Sequence, residues 1–596
     1  MASESSIGVA TLGLLLAACA HSEPRFALRE PMQRDTDLDP VYAPCSERPT
    51  KKDPKHVACS PEPYVSPLVW DGLDNSLFRP LADVFAVDPA GPAVNVNALD
   101  EVADSAWFTN RLGKHKPSRE DLLAGACHPE DILDGEKAAP GSWHIDQGKP
   151  NGASAGFRIR VNGKQKFMMK TDIPQQPERP TAASAIGAAI YHAVGFYTSC
   201  EQIVYLDPKV LFLEPGLIVT DNSGVPKPFD QAALKKVFEQ ASQRGPLLRM
   251  QASAWLPGSL LGPFRYEGKR DDDPNDVIRH QDRRELRGAR VLAAWIHHFD
   301  AREQNTMDSW IASDPEQPDS SPGYVRHYYL DTSDCFGSEW DWDEISRRFG
   351  HSYLLDWGYL AGDFVTLGLI ERPWERAQRK PGYELFGYFS DRDFDPAGWK
   401  NEYPNAAFSR ATEHDNAWMT RILSRLDRPD IDVLVELGEF TKPEHAAYLG
   451  EVLEKRLERI TARYFALLSP LADPRFESPD DLCLTDLARR RGQWQAAAFR
   501  YQAQVGRAEG ASALAPSVRD GGELCVRLPH ARLDSVPADD RRRYTVVLID
   551  NGQARYPLAV HLYDRGAGNG FSLVGLERPE APFAEVSARV RSELAH

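Results

Sequence analysis

The chain has 596 residues, 42% hydrophobic and 26% charged, enough to bury several cores, and its length suggests roughly two to four domains. Such a composition excludes a fibrous or disordered protein. The net charge is −17, and lysines and arginines are scattered among acids without forming a basic face, so nucleic acid is not an expected partner.

A polar stretch to Ser6 precedes an apolar run from Ile7 to Ala18, and Leu16-Ala-Ala-Cys19 leads into polar residues. The run is too short to cross a bilayer as a mature helix, and the small residues before Cys19 suit cleavage ahead of a lipid-modified cysteine. Residues 1–19 therefore read as a lipoprotein signal peptide with a lipobox. A lipid on Cys19 would anchor an exported protein to a membrane, on the periplasmic or cell-surface side. Glu4, with no Lys or Arg before Ile7, departs from the positive start of an ordinary export signal. Residues 20–68, rich in Pro, Lys and acids, predict a flexible tether.

Residues 69–255 predict an α+β region. Gly156-Phe-Arg-Ile-Arg-Val and Lys166-Phe-Met-Met-Lys170 alternate about a turn at Asn162-Gly163, an Ala-rich helix follows over 181–194, and Ile203-Val-Tyr-Leu206 reads as a strand. Residues 256–473 predict a mainly helical region. Leu286, Ala289, Leu292, Trp295 and Ile296 share a helical face over 283–298, and Leu449, Leu453, Leu457, Ile460 and Tyr464 share another over 443–467. Residues 474–596 predict a helical stretch near 484–504 and then a small antiparallel β domain built from 544–549, 556–563 and 571–576.

Eight cysteines stand in the chain; with Cys19 lipidated, seven remain and at least one is free. Cys45–Cys59 and Cys483–Cys525 are the disulfides to test first, although spacing does not decide connectivity. No CxxC or Cys/His ligand spacing predicts a structural zinc. The acidic run Asp271 to Asp276 lacks Ca²⁺-loop spacing and reads as a solvated loop. His297 and His298, at a helix end, read as one core-facing and one exposed histidine.

Lys170, Asp300, Asn305 and Asp331 stand in an order that carries chemistry. Asp300-Ala-Arg-Glu-Gln-Asn305 has the D-x-x-x-x-N spacing of a kinase catalytic loop, where the Asp accepts the proton of the attacking hydroxyl and the Asn holds a metal ion. Asp331 ends a predicted hairpin strand, Val325 to Leu330, where a second metal ligand belongs. Lys170 ends the second strand of the first hairpin, where a lysine holds phosphates, and Gly152 to Gly156 precede that hairpin as a loop over them. Taken singly each residue reads as structural: a solvated lysine, a chance pair, a turn cap.

From about Asn95 to Phe465 the chain also resembles a family of bacterial proteins with an atypical protein-kinase-like core, akin to HipA-type and CotH-type kinases. The resemblance is carried by Leu99 to Asn110, Phe167 to Lys170, Leu256 to Phe264, Asp272 to Asp276, Arg283 to Gly288, Asp300 to Asn305 and His327 to Asp331. It implies an α+β, two-lobed kinase-like core, ATP with Mg²⁺ or Mn²⁺ as cofactor, and an unidentified protein or small-molecule acceptor. Two departures stand out: Thr332 and Ser333 follow Asp331 where relatives read close to Asp-Phe-Gly, and Ser184 occupies the place of a helix glutamate that would pair with Lys170. Glu178 or Glu201 would then hold Lys170 instead. A catalytically silent kinase-like module, serving as a surface binding or scaffold protein, is the rival expectation.

Overall fold

The computed structural model describes residues 33–42, 72–85, 91–149, 154–220, 225–318, 320–369, 371–531 and 541–595. Cys19, Cys45, Cys59 and Gly152 lie outside the described residues. The protein is mixed α+β with several antiparallel sheets.

The first sheet runs in the order Glu201–Leu206, Leu247–Ala254, Gln165–Lys170, Gly156–Val161, Trp143–Gly148 and Leu211–Leu213, antiparallel except at the last, parallel pair. Alternation decides what each face carries. Phe157, Ile159, Phe167, Met169 and Met250 pack with Leu234 and Val237 of the helix Gln231–Gln240 in one core. Cross-strand partners share a face, so the opposite face holds Lys170 beside Gln251, and Ser253 beside Glu201.

The helix Arg179–Val194 crosses beneath, and nearly all of it is buried because alanines at 182, 183, 185, 188 and 189 let it pack on every side. It shares the largest core with Arg284–Ile296, Glu413–Leu423, Arg428–Glu436 and Pro443–Phe465, around Trp295, Trp418 and Leu453. A second sheet of Ser259–Gly262, Thr306–Ala312 and Pro322–Tyr329 carries Val41–Tyr42 on its edge. Part of the stretch read as tether is therefore packed, and Asp35 and Asp37 hold the buried Arg283 at 2.5 and 3.0 Å.

The C-terminal region consists of two antiparallel sheets and the helix Phe583–Ala595, whose Val586 and Val590 pack on Tyr544 and Val546. Here the expected helix near 484–504 is corrected. Asp481–Asp486 is a strand, Leu487–Arg490 a single helical turn, and Gln502–Arg507 another strand. Leu482 and Leu484 register with Val526 and Leu524, so sheet burial decides 481–486, while the alanines at 496–498 form only a short 3₁₀ turn. Disulfides join Cys483 to Cys525, as expected, and Cys127 to Cys200; Cys335 is free and buried.

Candidate functional site

Lys170, at the end of its strand, reaches Asp331 Oδ1 with its ammonium at 3.0 Å. Asp331 follows the strand Pro322–Tyr329 in the left-handed region, φ 49°, a conformation aspartate tolerates better than most residues, and Ser333 Oγ donates to its Oδ1 at 2.6 Å. The helix Arg179–Val194 fixes the turn that follows. Arg179 donates to Ser333 O and Cys335 O at 2.8 and 2.9 Å, and Thr332 Oγ1 donates to Ser184 O at 3.1 Å. Gly187 permits the approach, because a Cβ there would lie 2.7 Å from Thr332 Oγ1.

Asn305 and Asp331 flank the open end of one hairpin. Thr306 pairs with Tyr329, and Leu330 N donates to Asn305 O at 2.9 Å. The Asn305 amide donates to the Asp300 carbonyl at 2.8 Å, closing the D-x-x-x-x-N segment on itself. Asp300's amide donates to Asp334 Oδ2 at 2.9 Å; Asp334 Oδ1 lies 3.5 Å from His298 Nε2, and His298 Nδ1 lies 2.8 Å from the Tyr191 hydroxyl. The fold thus brings Lys170, Asp300, Asn305 and Asp331 together, with Gly156 in register opposite Lys170. Gly156 is also required by packing: a Cβ would meet Met169 O at 2.2 Å.

Electrostatics separates the two aspartates. Burial disfavours the charges of Lys170 and Asp331, but their mutual attraction outweighs it: Lys170 is raised, with Glu201 contributing, and Asp331 falls well below the usual carboxylate range, with Lys149 contributing. Asp300 goes the other way. Burial raises its carboxyl against the pull of Arg302, whose Nε lies 2.6 Å away, and Arg302 Nη1 also reaches Glu402 Oε2 at 2.9 Å. Burial and then Asp300 push the Glu402 carboxyl up to about 9, and the two buried carboxyls titrate as a pair.

Several contributors gave little sequence signal. Lys149 donates to Ser154 O at 2.7 Å, bridging the two ends of the segment that contains Gly152, and burial followed by Lys170 lowers its pKa to about 8. Glu402 stands about a hundred positions after its partner. Asp334 was findable as the second acid after the strand Pro322–Tyr329. Of the two acids expected to hold Lys170, Glu201 acts on it, itself fixed by Ser199 and Ser253 at 2.6 Å each and by Gln251. Glu178 instead takes the amide of Thr441 at 3.1 Å. Ser184 is buried and donates to Pro180 O, and its helix contains no acid.

Two expectations are corrected. His297 and His298 are both buried, the first at a left-handed helix end and the second on Tyr191. In the acidic run, Asp273 and Asp276 are buried, and Asp276 is held by His280 at 2.7 Å, so part of it is structural and not solvated. Among the described residues Glu477, Cys483 and Cys525 lie within metal-binding distance of one another, but their sulfurs are joined in a disulfide and offer no thiolate. Asp331, ionised, and the Asn305 amide oxygen are hard oxygen donors of the kind Mg²⁺ and Mn²⁺ take. No helix among the described residues is long and apolar enough to cross a membrane.

No protein family, curated protein or solved structure matches the chain.

Proposed function

We propose that this protein is an exported, lipid-anchored, atypical kinase-like phosphotransferase using ATP with Mg²⁺ or Mn²⁺. Its two lobes are the sheet region up to Ala254 and the helical region that follows. The observation that carries the reading is the Lys170–Asp331 pair at 3.0 Å, set beside Asn305 and Asp300. A cation for phosphate next to an ionised carboxylate for metal is the charge arrangement such chemistry requires.

In this reading Lys170, with Gly156 in register opposite it, holds phosphates, and Asn305 and Asp331 hold the metal. The bound ion supplies charge neutralisation on the phosphates. Asp300 accepts the proton of the acceptor hydroxyl, which requires its carboxylate to leave Arg302; Arg302 then keeps its contact with Glu402, 2.9 Å from its Nη1. The acceptor is a hydroxyl on a protein or small molecule.

Two observations favour the rival, a catalytically silent module that binds without turning over. Arg302 sits on the Asp300 carboxylate, and the helix beside Lys170 lacks the acid a kinase provides. Calorimetry with ATP at millimolar Mn²⁺, followed by an autophosphorylation assay, tests both. Metal-dependent binding with transfer supports the enzyme; metal-dependent binding without transfer supports the silent module; no binding refutes a nucleotide site.

A further inference from the structure

Among the described residues, four of the six large apolar side chains that are more than three-quarters exposed fall within one six-residue stretch, Phe364 to Leu369. Val84 and Phe85 end the helix Arg79–Phe85; Phe364 and Val365 lie on the helix Trp357–Thr366, and Leu367 and Leu369 follow in the turn after it. Trp357, at the start of that second helix, donates its Nε1–H to Ser76 O at 3.0 Å. From Trp357 to Leu369 the only charged residue is Asp363, and Arg372 neutralises it at 2.9 Å.

We infer that this tip is a membrane-contact surface that dips into the interfacial layer of a lipid bilayer. Four large apolar side chains left 78 to 84% exposed within six residues call for a non-aqueous neighbour. Fluid hydrocarbon can cover such exposed side chains without a complementary shape. Trp357, about half exposed at 53%, has the amphipathic ring that favours the headgroup level. Proximity follows from the lipid anchor read on Cys19, on which this inference rests for that point alone: the thirteen residues between Cys19 and Gln33 reach at most roughly 50 Å, so the folded body stays near the bilayer.

The test uses the full chain mixed with vesicles of phosphatidylethanolamine and phosphatidylglycerol that carry a bilayer-dissolved photoactivatable apolar probe, with labelled peptides identified by mass spectrometry. Labelling of the peptide covering 357–369 is expected, and a Phe364→Asp, Leu367→Asp variant of unchanged melting temperature should lose it. Labelling confined to the N-terminal peptide, or labelling of the tip unaltered in the variant, overturns the inference. So does a wild-type dimer that the variant converts to monomer while vesicles leave the tip unlabelled, since a second copy would then cover it. The lipid on Cys19 is read separately as a mass increment on the N-terminal peptide; its absence together with a labelled tip refutes the anchor and leaves the contact surface standing.

Discussion

The ammonium of Lys170 and the carboxylate of Asp331 meet at 3.0 Å although they end strands of two different sheets. One residue ends a strand of the first sheet and the other follows a strand of the second, so the pair exists only when both sheets sit on the helix Arg179–Val194. Most of the consequences open to measurement lie around that contact.

Asp331→Ala removes both the counter-ion of Lys170 and the proposed metal ligand, and is expected to abolish metal-dependent nucleotide binding together with transfer. Asp300→Ala should keep most nucleotide affinity and lose turnover by roughly two to four orders of magnitude, the scale of a removed general base. ATP affinity with Mn²⁺ and autophosphorylation for both variants decide the matter; equal behaviour of the two rejects the division of roles.

Gly187→Ala inserts a methyl where only 2.7 Å separates the new carbon from Thr332 Oγ1. The turn carrying Asp331 must shift, with an expected stability loss of about 1–3 kcal/mol and a weakened nucleotide affinity. Gly91→Ala, where a Cβ meets nothing, is the control. Denaturant midpoints and calorimetry report the two effects, and a Gly187 variant indistinguishable from the control would contradict the close approach.

Lys149 titrates at about 8 in the folded protein against 10.5 for an ordinary lysine, because burial and then Lys170 disfavour its charge. Between those values the unfolded chain binds more protons than the folded one, so this group makes stability rise with pH across that window. Lys149→Met should therefore gain stability over wild type at neutral pH and gain nothing above 10.5. Unfolding free energies of the two proteins at neutral pH and near the upper end of the window are the measurement; a constant difference sinks the assignment.

The bridges Cys127–Cys200 and Cys483–Cys525 span 73 and 42 positions. Chain-entropy arguments assign each about 4 kcal/mol of stability, so double replacement by alanine should cost a loss of that order at either bridge. Non-reducing peptide mapping should recover both linked pairs, and Cys335 should resist alkylation until the protein is unfolded. Rapid alkylation of Cys335 in the native protein would contradict its burial.

Cys19→Ala is expected to move the protein from the membrane fraction to a soluble or unprocessed form, because only that thiol follows the small-residue cleavage site. Fractionation and the mass of the N-terminal peptide give the answer. A wild-type protein without lipid would remove the anchor from the proposed function and leave the kinase-like site untouched.

What the sequence determined by itself was local. The hairpin of Gly156–Val161 and Gln165–Lys170, the helix Arg179–Val194, the long helix Pro443–Phe465 and the strands of 544–577 were legible, because alternation, periodicity and an Asn-Gly turn act between near neighbours in the chain. So was the order of Lys170, Asp300, Asn305 and Asp331, though not their meeting. Tertiary structure alone decided that Glu201 and not Glu178 faces Lys170, that Glu402 joins Asp300 through Arg302, that Cys200 bonds Cys127, and that Leu482 and Leu484 belong to a strand. Each of those outcomes depends on which surfaces are buried against each other after long loops close, a free energy shared between distant segments that no local pattern records.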